Sequence, residues 1–260
     1  MTTDPILVVH DLARSFDGLQ AVAGASFSVE RGSITALIGP NGAGKTTTFD
    51  LLSRTVVPDR GMVALDGRSL AGLSPHAVAR RGMVRTFQLT RVLAGLPVLE
   101  NMLLAAPHQP GERLLGLLAH PTLARQREHQ ARTHAAELLG IFGLLPKVAN
   151  YAGDLSGGQR KLLELARALM TEPSLVLLDE PMAGVNPTLG RQIFDHVEAL
   201  RRERGTTFLF VEHDMDVVMS RADRVIVMAQ GRVIATGTPA EIRADARVID
   251  AYLGDVAESA

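Results

Sequence analysis

The segment that most constrains the fold is a nine-residue stretch with three glycines and a lysine. It runs Gly39-Pro40-Asn41-Gly42-Ala43-Gly44-Lys45-Thr46-Thr47, here called the glycine-rich loop. It fits the pattern G-x-x-x-x-G-K-[ST]; an apolar strand is expected before it and a helix start after it. Glycines let backbone N–H groups converge on one anion, and a helix start adds partial positive charge. The loop therefore predicts a phosphate site in which Lys45 contacts β- and γ-phosphates and Thr46 binds Mg²⁺.

Composition narrows the class of protein. The 260 residues are 46% hydrophobic and 21% charged, which suits one globular domain with room for an inserted subdomain. The formal net charge is −1, so no global field favours nucleic acid. The chain has no cysteine, which excludes disulfides, thiolate zinc sites and cysteine nucleophiles. We expect no signal peptide and no run of about 20 apolar residues that would span a bilayer, so a membrane role would be peripheral.

The order of predicted elements favours an α/β fold. Short apolar runs predict strands at residues 6–10, 21–29, 34–38, 61–67, 83–87, 175–178, 206–211 and 225–228. Helical patterns alternate with the later strands, which indicates a mainly parallel sheet covered by helices. Residues 98–170 are helical in pattern. We expect one domain over residues 1–260, with a helical insert at about 89–158 and a C-terminal tail at about 237–260.

Two acids end a strongly apolar run at residues 175–180, Leu-Val-Leu-Leu-Asp-Glu. A buried parallel strand with this composition opens at its carboxyl end on the ligand side of the sheet. Asp179 is therefore expected to bind Mg²⁺, and Glu180 to orient and deprotonate an attacking water.

A second candidate anion site begins at Leu155-Ser156-Gly157-Gly158-Gln159, just before an apolar-periodic helix. Ser156 is a natural helix cap, and the two glycines leave the backbone open to an anion. A plain helix cap explains the segment equally well on its own. One nucleotide can use both this segment and the glycine-rich loop only if the two face each other.

Taken together, these motifs resemble those of the ATP-binding subunit of an ABC transporter. The likeness rests on the glycine-rich loop, Gln88, the segment 155–159, Asp179 with Glu180, and His213, in the order of the family. It implies a P-loop, RecA-like core with an antiparallel β subdomain and an inserted helical subdomain. It also implies that two subunits sandwich ATP, each nucleotide lying between the glycine-rich loop of one and Ser156, Gly157, Gly158 and Gln159 of the other.

The resemblance also assigns individual roles. Phe16, expected in the loop after the first strand, would stack on adenine; a core phenylalanine is the alternative. Gln88 would meet Mg²⁺ and the attacking water and signal to membrane subunits. Asp179 would bind Mg²⁺, Glu180 would act as general base, and His213 would contact the γ-phosphate. The other seven histidines are expected to be solvated.

One position departs from the family pattern. Most members have aspartate where Asn186 stands. Asn186 before Pro187 is also a good helix start, with asparagine as cap and proline at the first helical position. The missing charge bears on communication between two ATP sites and leaves ATP binding untouched.

Softer likenesses point to the ATPases of branched-chain amino acid importers; they lie at residues 85–88, 183–187 and 212–215 and at the ending 248–254. Urea and short-amide importers have nearly the same ATPase. The resemblance implies integral-membrane permease subunits, a second ATPase subunit, identical or different, and indirectly a substrate-binding protein, at the cytoplasmic face of a bacterial inner membrane. An alternative is a soluble ABC ATPase that acts on DNA or ribosomes. The sequence shows neither the basic stripe nor the paired cassettes that would support this alternative. A further alternative, a P-loop kinase of a small molecule, does not explain the segment 155–159 or His213.

Overall fold

The computed structural model describes residues 4–86, 92–107 and 121–258, apart from the side chains of residues 121, 124 and 253–258. The strands are β1 Pro5–Phe16, β2 Leu19–Glu30, β3 Ile34–Ile38, β4 Arg60–Leu65, β5 Arg68–Ser69, β6 Met83–Arg85, β7 Leu175–Asp179, β8 Thr207–Val211, β9 Arg224–Ala229 and β10 Arg232–Gly237. The helices are α1 Lys45–Leu52, α2 Pro75–Arg80, α3 Val98–Leu103, α4 Pro121–Ile141, α5 Gly157–Leu169, α6 Pro187–Arg204, α7 Met215–Arg221, α8 Pro239–Ala244 and α9 Ala246–Glu258.

A six-stranded sheet in the order β10-β9-β3-β8-β7-β6 forms the centre of the fold. Its strands are parallel except for the β9–β10 pair. Apolar side chains cover both faces, which is why these strands are continuous apolar runs in the sequence. On β8, Phe208 and Phe210 pack with helical residues, whereas Leu209 and Val211 pack with the other sheet. The predicted parallel sheet is confirmed.

An antiparallel sheet in the order β2-β1-β4-β5 lies on the second face of the central sheet and shares a core with α1. β1 is longer than the strand predicted at residues 6–10. It continues to Phe16 through a register shift, and Asp11 has a left-handed φ of 46°. The sequence pattern missed this extension because a β-bulge interrupts the apolar alternation while the hydrogen-bonded ladder continues.

The β9–β10 hairpin was predicted only in part, because the strand predicted at residues 225–228 corresponds to β9 and no predicted strand corresponds to β10. Its turn residues Gln230 and Gly231 both have positive φ, 48° and 74°, as a two-residue hairpin of type I′ requires. The backbone N–H of Gly231 donates to the carbonyl of Ala43 at 3.1 Å, and the carbonyl of Gly231 accepts from Ala23 at 2.8 Å. This hairpin therefore joins the glycine-rich loop to the antiparallel sheet.

Helices α3, α4 and α5 lie in the chain between β6 and β7 and pack with one another. Asn101 is fully buried beside the segment that precedes α3. Its amide oxygen accepts from the Leu93 N–H at 2.8 Å, and its amide nitrogen donates to the carbonyls of Leu93, Leu96 and Pro97. None of the described helices is long and apolar enough to cross a membrane. The predicted fold class, a sheet core with an antiparallel sheet and inserted helices, is confirmed.

Candidate functional site

The carboxyl ends of β3, β8, β7 and β6 meet at one edge of the central sheet, because these strands are parallel neighbours. The glycine-rich loop follows β3, Asp179 ends β7, and His213 comes shortly after β8. The fold thus places three sequence-predicted segments at the edge where open α/β sheets bind ligands. Gln88, the predicted residue beyond β6, lies outside the described residues.

Two close backbone approaches explain glycines of the glycine-rich loop. A Cβ on Gly39 would lie 2.0 Å from the Met228 carbonyl oxygen, and one on Gly44 would lie 2.4 Å from the Ala21 carbonyl oxygen. Gly44 also adopts a left-handed φ of 94° as the N-cap of α1, and no side chain caps this helix. The first N–H groups of α1 therefore remain without a side-chain cap, as an anion site at a helix start requires.

The lysine of the glycine-rich loop is buried against the loop itself. Lys45 Nζ donates to the carbonyl oxygens of Gly39 and Pro40, both at 2.8 Å. Asn41, Gly42 and Thr46 are exposed, Pro40, Gly44 and Thr47 are half-buried, and Gly39, Ala43 and Lys45 are buried. The ammonium group thus braces the curved backbone, while the outer surface of the loop is open.

Asp179 is a buried carboxylate with one engaged and one free oxygen. Its side chain is 2% exposed, and Oδ2 accepts from Arg85 Nη2 at 2.6 Å. Oδ1 is buried and has no hydrogen-bond partner among the residues that the structure describes. A buried polar atom of this kind is costly unless something binds it, so it marks a place for a donor or a cation.

Glu180 and His213 lie in direct contact. Glu180 Oε1 is 3.0 Å from His213 Nε2, and the Glu180 backbone N–H donates to the Val211 carbonyl at 3.1 Å. Glu180 has a φ of 47°, a left-handed conformation that is uncommon for a non-glycine residue and clusters at functional sites. The acid and the histidine, predicted from separate motifs, are therefore held side by side.

Glu212 contacts the candidate site, although the sequence motifs assign it no role. Its buried carboxylate accepts the backbone N–H of Met182 at 2.8 Å and that of His213 at 3.2 Å. Burial raises the pKa of Glu212, and these two hydrogen bonds partly oppose the rise. The one available signal was an acid directly after the apolar run at residues 208–211.

Arg85 is a second residue to which the sequence motifs assign no role. Its guanidinium donates to Asp179 Oδ2 and to Asp50 Oδ1, each at 2.6 Å, and its side chain is 8% exposed. No local pattern identifies this interaction, since Asp50 lies on α1 and Asp179 on β7.

The segment 155–159 forms a complete helix cap at the start of α5. Ser156 Oγ accepts from the Gln159 N–H at 3.2 Å, and Gln159 Oε1 accepts from the Ser156 N–H at 3.0 Å. Ser156 and Gly157 are exposed, and Gly158 and Gln159 are half-buried. The predicted cap is confirmed. Its bonds are local, so they do not bring this segment toward the glycine-rich loop of the same chain.

Asn186 caps α6 as predicted. Its Oδ1 accepts from the Leu189 N–H at 2.8 Å, and Pro187 occupies the first turn. A Cβ on Gly158 would lie 2.0 Å from the Leu189 side chain. The starts of α5 and α6 are thus packed closely together.

The sequence predicts Phe16 in the loop after the first strand. In the structure Phe16 is instead the last residue of β1 and pairs with Leu19. The strand continues further than the apolar pattern indicated. The ring is 41% exposed, which excludes a core role. The guanidinium carbon of Arg14 lies 4.9 Å from the ring centroid, and Arg14 is paired with Asp59 at 2.7 Å.

Two further histidines are not fully solvated, contrary to expectation. His196 is half-buried and lies edge-on to Phe142, with ring centroids 4.9 Å apart. Burial lowers the pKa of His196, and Asp195 partly opposes that shift. His134 is also half-buried, near Glu137 and Glu172. Tertiary packing of α4 and α6 covers these side chains.

The site combines an open glycine-rich loop, a buried carboxylate with a free oxygen, and a carboxylate–imidazole pair. This set suits a phosphate ester, a hard cation and a water nucleophile. Among residues 4–86, 92–107 and 121–258, no group of three or more acidic or histidine side chains could hold a metal ion.

Comparison with sequence families gives two matches. A family described as "ABC transporter" matches residues 22–183. A second family, described as "Branched-chain amino acid ATP-binding cassette transporter", matches residues 232–258. The first range contains the glycine-rich loop, the segment 155–159 and both acids, and the second contains β10, α8 and α9.

Individual relatives match over nearly their whole length. The high-affinity branched-chain amino acid transport ATP-binding protein BraF of Pseudomonas aeruginosa is 42% identical over 252 residues, covering 96% of this chain and 98% of that protein. LivG of Salmonella typhimurium, with the same description, is 41% identical over 254 residues, covering 97% and 99%. The crystal structure of the ADP conformation of MJ1267, an ATP-binding cassette of an ABC transporter, has a TM-score of 0.83 and 36% identity, covering 97% of this chain and 100% of that one. The resemblance predicted from the sequence is confirmed.

Proposed function

Because the chain belongs to the ABC transporter family as an ATP-binding subunit, we propose that it hydrolyses ATP to energise uptake of branched-chain amino acids through separate membrane subunits. The observation that carries the hydrolytic role is the 3.0 Å contact between Glu180 and His213 at the carboxyl edge of the sheet. The amino acid class is supported by the match over residues 232–258 and by the relatives.

In this proposal the glycine-rich loop holds the phosphates of ATP. The uncapped N–H groups at the start of α1 face the phosphate oxygens, and Lys45 contacts the β- and γ-phosphates. The exposed ring of Phe16 stacks on adenine. The guanidinium of Arg14 lies over the same ring, 4.9 Å from its centroid.

Thr46, Asp179 and Gln88 are the residues proposed to hold Mg²⁺. The donor set fits, because Asp179 Oδ1 is buried without a hydrogen-bond partner in the described part of the chain and Thr46 is exposed at the start of α1. Oxygen donors are the ligands that Mg²⁺ prefers. When bound, Mg²⁺ supplies positive charge that stabilises the phosphate oxygens.

Glu180 is proposed as the general base for the attacking water. A carboxylate that is 19% exposed can reach a water and still be oriented by His213, which is 48% exposed. His213 contacts the γ-phosphate and keeps Glu180 in position.

A second ATPase subunit is proposed to complete the nucleotide site. Ser156, Gly157, Gly158 and Gln159 would contact ATP held by the glycine-rich loop of that partner, and the partner would do the same in return. The exposure of Ser156 and Gly157 supports this. Asn186 caps the N–H of Leu189, whose side chain packs against Gly158, and this closeness supports a contact between Asn186 and the partner.

The remaining partners follow from transport. We assign integral-membrane permease subunits, a separate substrate-binding protein, and a peripheral location at the cytoplasmic face of a bacterial inner membrane. We also assign the whole chain to one ATP-binding domain, with a helical insert at about residues 89–158 and a tail at about 237–260.

The test is uptake of labelled leucine in a strain that lacks this protein. Complementation with the wild-type chain should restore uptake, and complementation with Glu180→Gln should not, because hydrolysis is lost. Unlabelled isoleucine and valine should compete, and urea should not. Normal leucine uptake without the protein, or competition by urea alone, would contradict the proposed substrate class.

A further inference from the structure

A buried arginine bridges two carboxylates beside the proposed nucleotide site. Arg85 Nη1 lies 2.6 Å from Asp50 Oδ1, and Arg85 Nη2 lies 2.6 Å from Asp179 Oδ2. The three side chains are 8%, 32% and 2% exposed, so the pair with Asp179 is almost fully removed from water. The ring of Phe49 lies 5.7 Å from the guanidinium carbon.

We propose that Arg85 is a positioning residue that orients Asp179 for the magnesium ion of Mg–ATP, an inference that rests on the proposed function. Arg85 donates to Oδ2, whereas Oδ1 is buried and has no hydrogen-bond partner within residues 4–86, 92–107 and 121–258. A planar guanidinium holds a carboxylate in a defined orientation. In this arrangement Asp179 Oδ2 accepts the hydrogen bond from Arg85, and Oδ1 is left to bind the cation.

The connections of Arg85 distinguish it from a purely structural ion pair. Asp50 is on α1, the helix that begins in the glycine-rich loop, and Asp179 ends β7. Arg85 itself ends β6, three residues before Gln88. One side chain therefore links the two segments that carry the proposed magnesium residues Thr46 and Asp179.

The charge balance points the same way. One guanidinium faces two carboxylates, so the cluster carries a formal excess of one negative charge. A divalent cation next to Asp179 offsets that excess, and Arg85 limits the repulsion between Asp50 and Asp179 while the cation is absent. Buried charges need such compensation.

Lysine cannot replace this arrangement. Its ammonium is a point charge without the planar fork, so Arg85→Lys does not hold the Asp179 carboxylate in the orientation that the guanidinium fixes. Loss of a residue that orients a metal ligand typically weakens metal binding by about 10–100-fold. We expect a shift of that size in the Mg²⁺ requirement of nucleotide binding.

The experiment measures ADP binding by calorimetry, in EDTA and at graded free Mg²⁺, so that no turnover is involved. Arg85→Lys should bind ADP in EDTA like the wild type, but should need about 10–100-fold more Mg²⁺ for the same tightening. A merely structural role would change both affinities together. An unchanged Mg²⁺ profile in a folded Arg85→Lys protein overturns the proposal.

Arg221→Lys is the matched control. Arg221 also bridges two carboxylates, Asp195 and Glu198, each at 2.9 Å, but between α6 and α7. Its Mg²⁺ profile should equal that of the wild type, and a shift as large as that of Arg85→Lys contradicts a site-specific role.

Asp50→Asn keeps the proposal testable if Arg85→Lys does not fold. It retains an oxygen that accepts from Arg85 but removes one charge, so the Mg²⁺ profile should shift in the same direction by a smaller factor. No shift in this variant counts against the proposal. If wild-type protein binds no ADP under any condition, the proposed function itself fails, which is a different result.

Discussion

The buried carboxylate of Glu212 accepts a 2.8 Å hydrogen bond from the backbone N–H of Met182. Its other oxygen accepts from the backbone N–H of His213 at 3.2 Å. One side chain therefore joins the segment that follows Glu180 to the segment that carries His213. Because Glu180 and His213 lie 3.0 Å apart, Glu212 braces the proposed catalytic pair through the backbone on both sides.

Glu212 is expected to make stability depend on pH. Burial raises its pKa in the folded protein above the ordinary glutamate value of about 4.3, so the folded state binds this proton more tightly than the unfolded chain does. The contribution of Glu212 to the free energy of unfolding is therefore fully present below that ordinary value. It falls as the pH rises through the raised pKa.

The measurement is urea unfolding of wild type and Glu212→Gln at a series of pH values above about 4. The glutamine cannot titrate, so the variant should lack this fall, although a side-chain N–H replaces one acceptor and lowers stability by about 1–3 kcal/mol at low pH. The exposed Glu203→Gln serves as control and should retain the wild-type profile. Parallel curves for wild type and Glu212→Gln would rule out a perturbed Glu212.

Glu180→Gln should lower ATP hydrolysis by about 10²–10⁴-fold, the usual contribution of a general base. ATP should still bind, because the glycine-rich loop is unchanged, and an ATP-bound dimer should accumulate. Phosphate release and analytical ultracentrifugation with ATP check the two parts. Near-normal turnover would remove Glu180 from the role of base.

Ser156→Arg tests the assignment of the segment 155–159 to the partner's nucleotide. In a Glu180→Gln background it should leave ATP bound to the monomer and prevent dimer closure, because a long cation replaces an exposed cap residue. Sedimentation with ATP measures the dimer. Ser74→Arg is the control, since the Ser74 side chain also accepts the backbone N–H three residues on, at the start of α2, and both variants lose about 1 kcal/mol of helix capping. If the two variants dimerise equally, the segment does not contact the partner's ATP.

Phe16→Ala should weaken ATP binding by about 2–10-fold, equivalent to the 0.5–1.5 kcal/mol of an aromatic contact. Phe16→Trp should retain affinity, because any flat aromatic surface can stack on a base. Titration with ATP in EDTA reports the effect without a contribution from metal. Leu19→Ala is the control, since Leu19 pairs with Phe16 across the hairpin and is 75% exposed. Equal losses in Phe16→Ala and Leu19→Ala would indicate a hairpin effect rather than stacking.

The sequence by itself determined the class of fold and most of the candidate site. The glycine-rich loop, Ser156 and Asn186 were recognisable because each depends on local chemistry, a tight backbone turn or a helix cap. The apolar runs of β3, β7 and β8 were recognisable because a strand buried on both faces requires them. The positions of Asp179 and His213 followed, since residues at the ends of such strands meet at one edge.

Only the tertiary structure decided which side chains support that site. Arg85 and Asp179 are 94 positions apart, and Glu212 and Met182 are 30 apart, so neither pair has a sequence signature. The extension of β1 and strand β10 likewise depend on hydrogen bonds to other strands rather than on their own apolar pattern. Local sequence patterns predict structure that a segment forms by itself, such as a turn, a helix cap or a buried strand. The partner of a buried charge depends instead on how distant segments pack together.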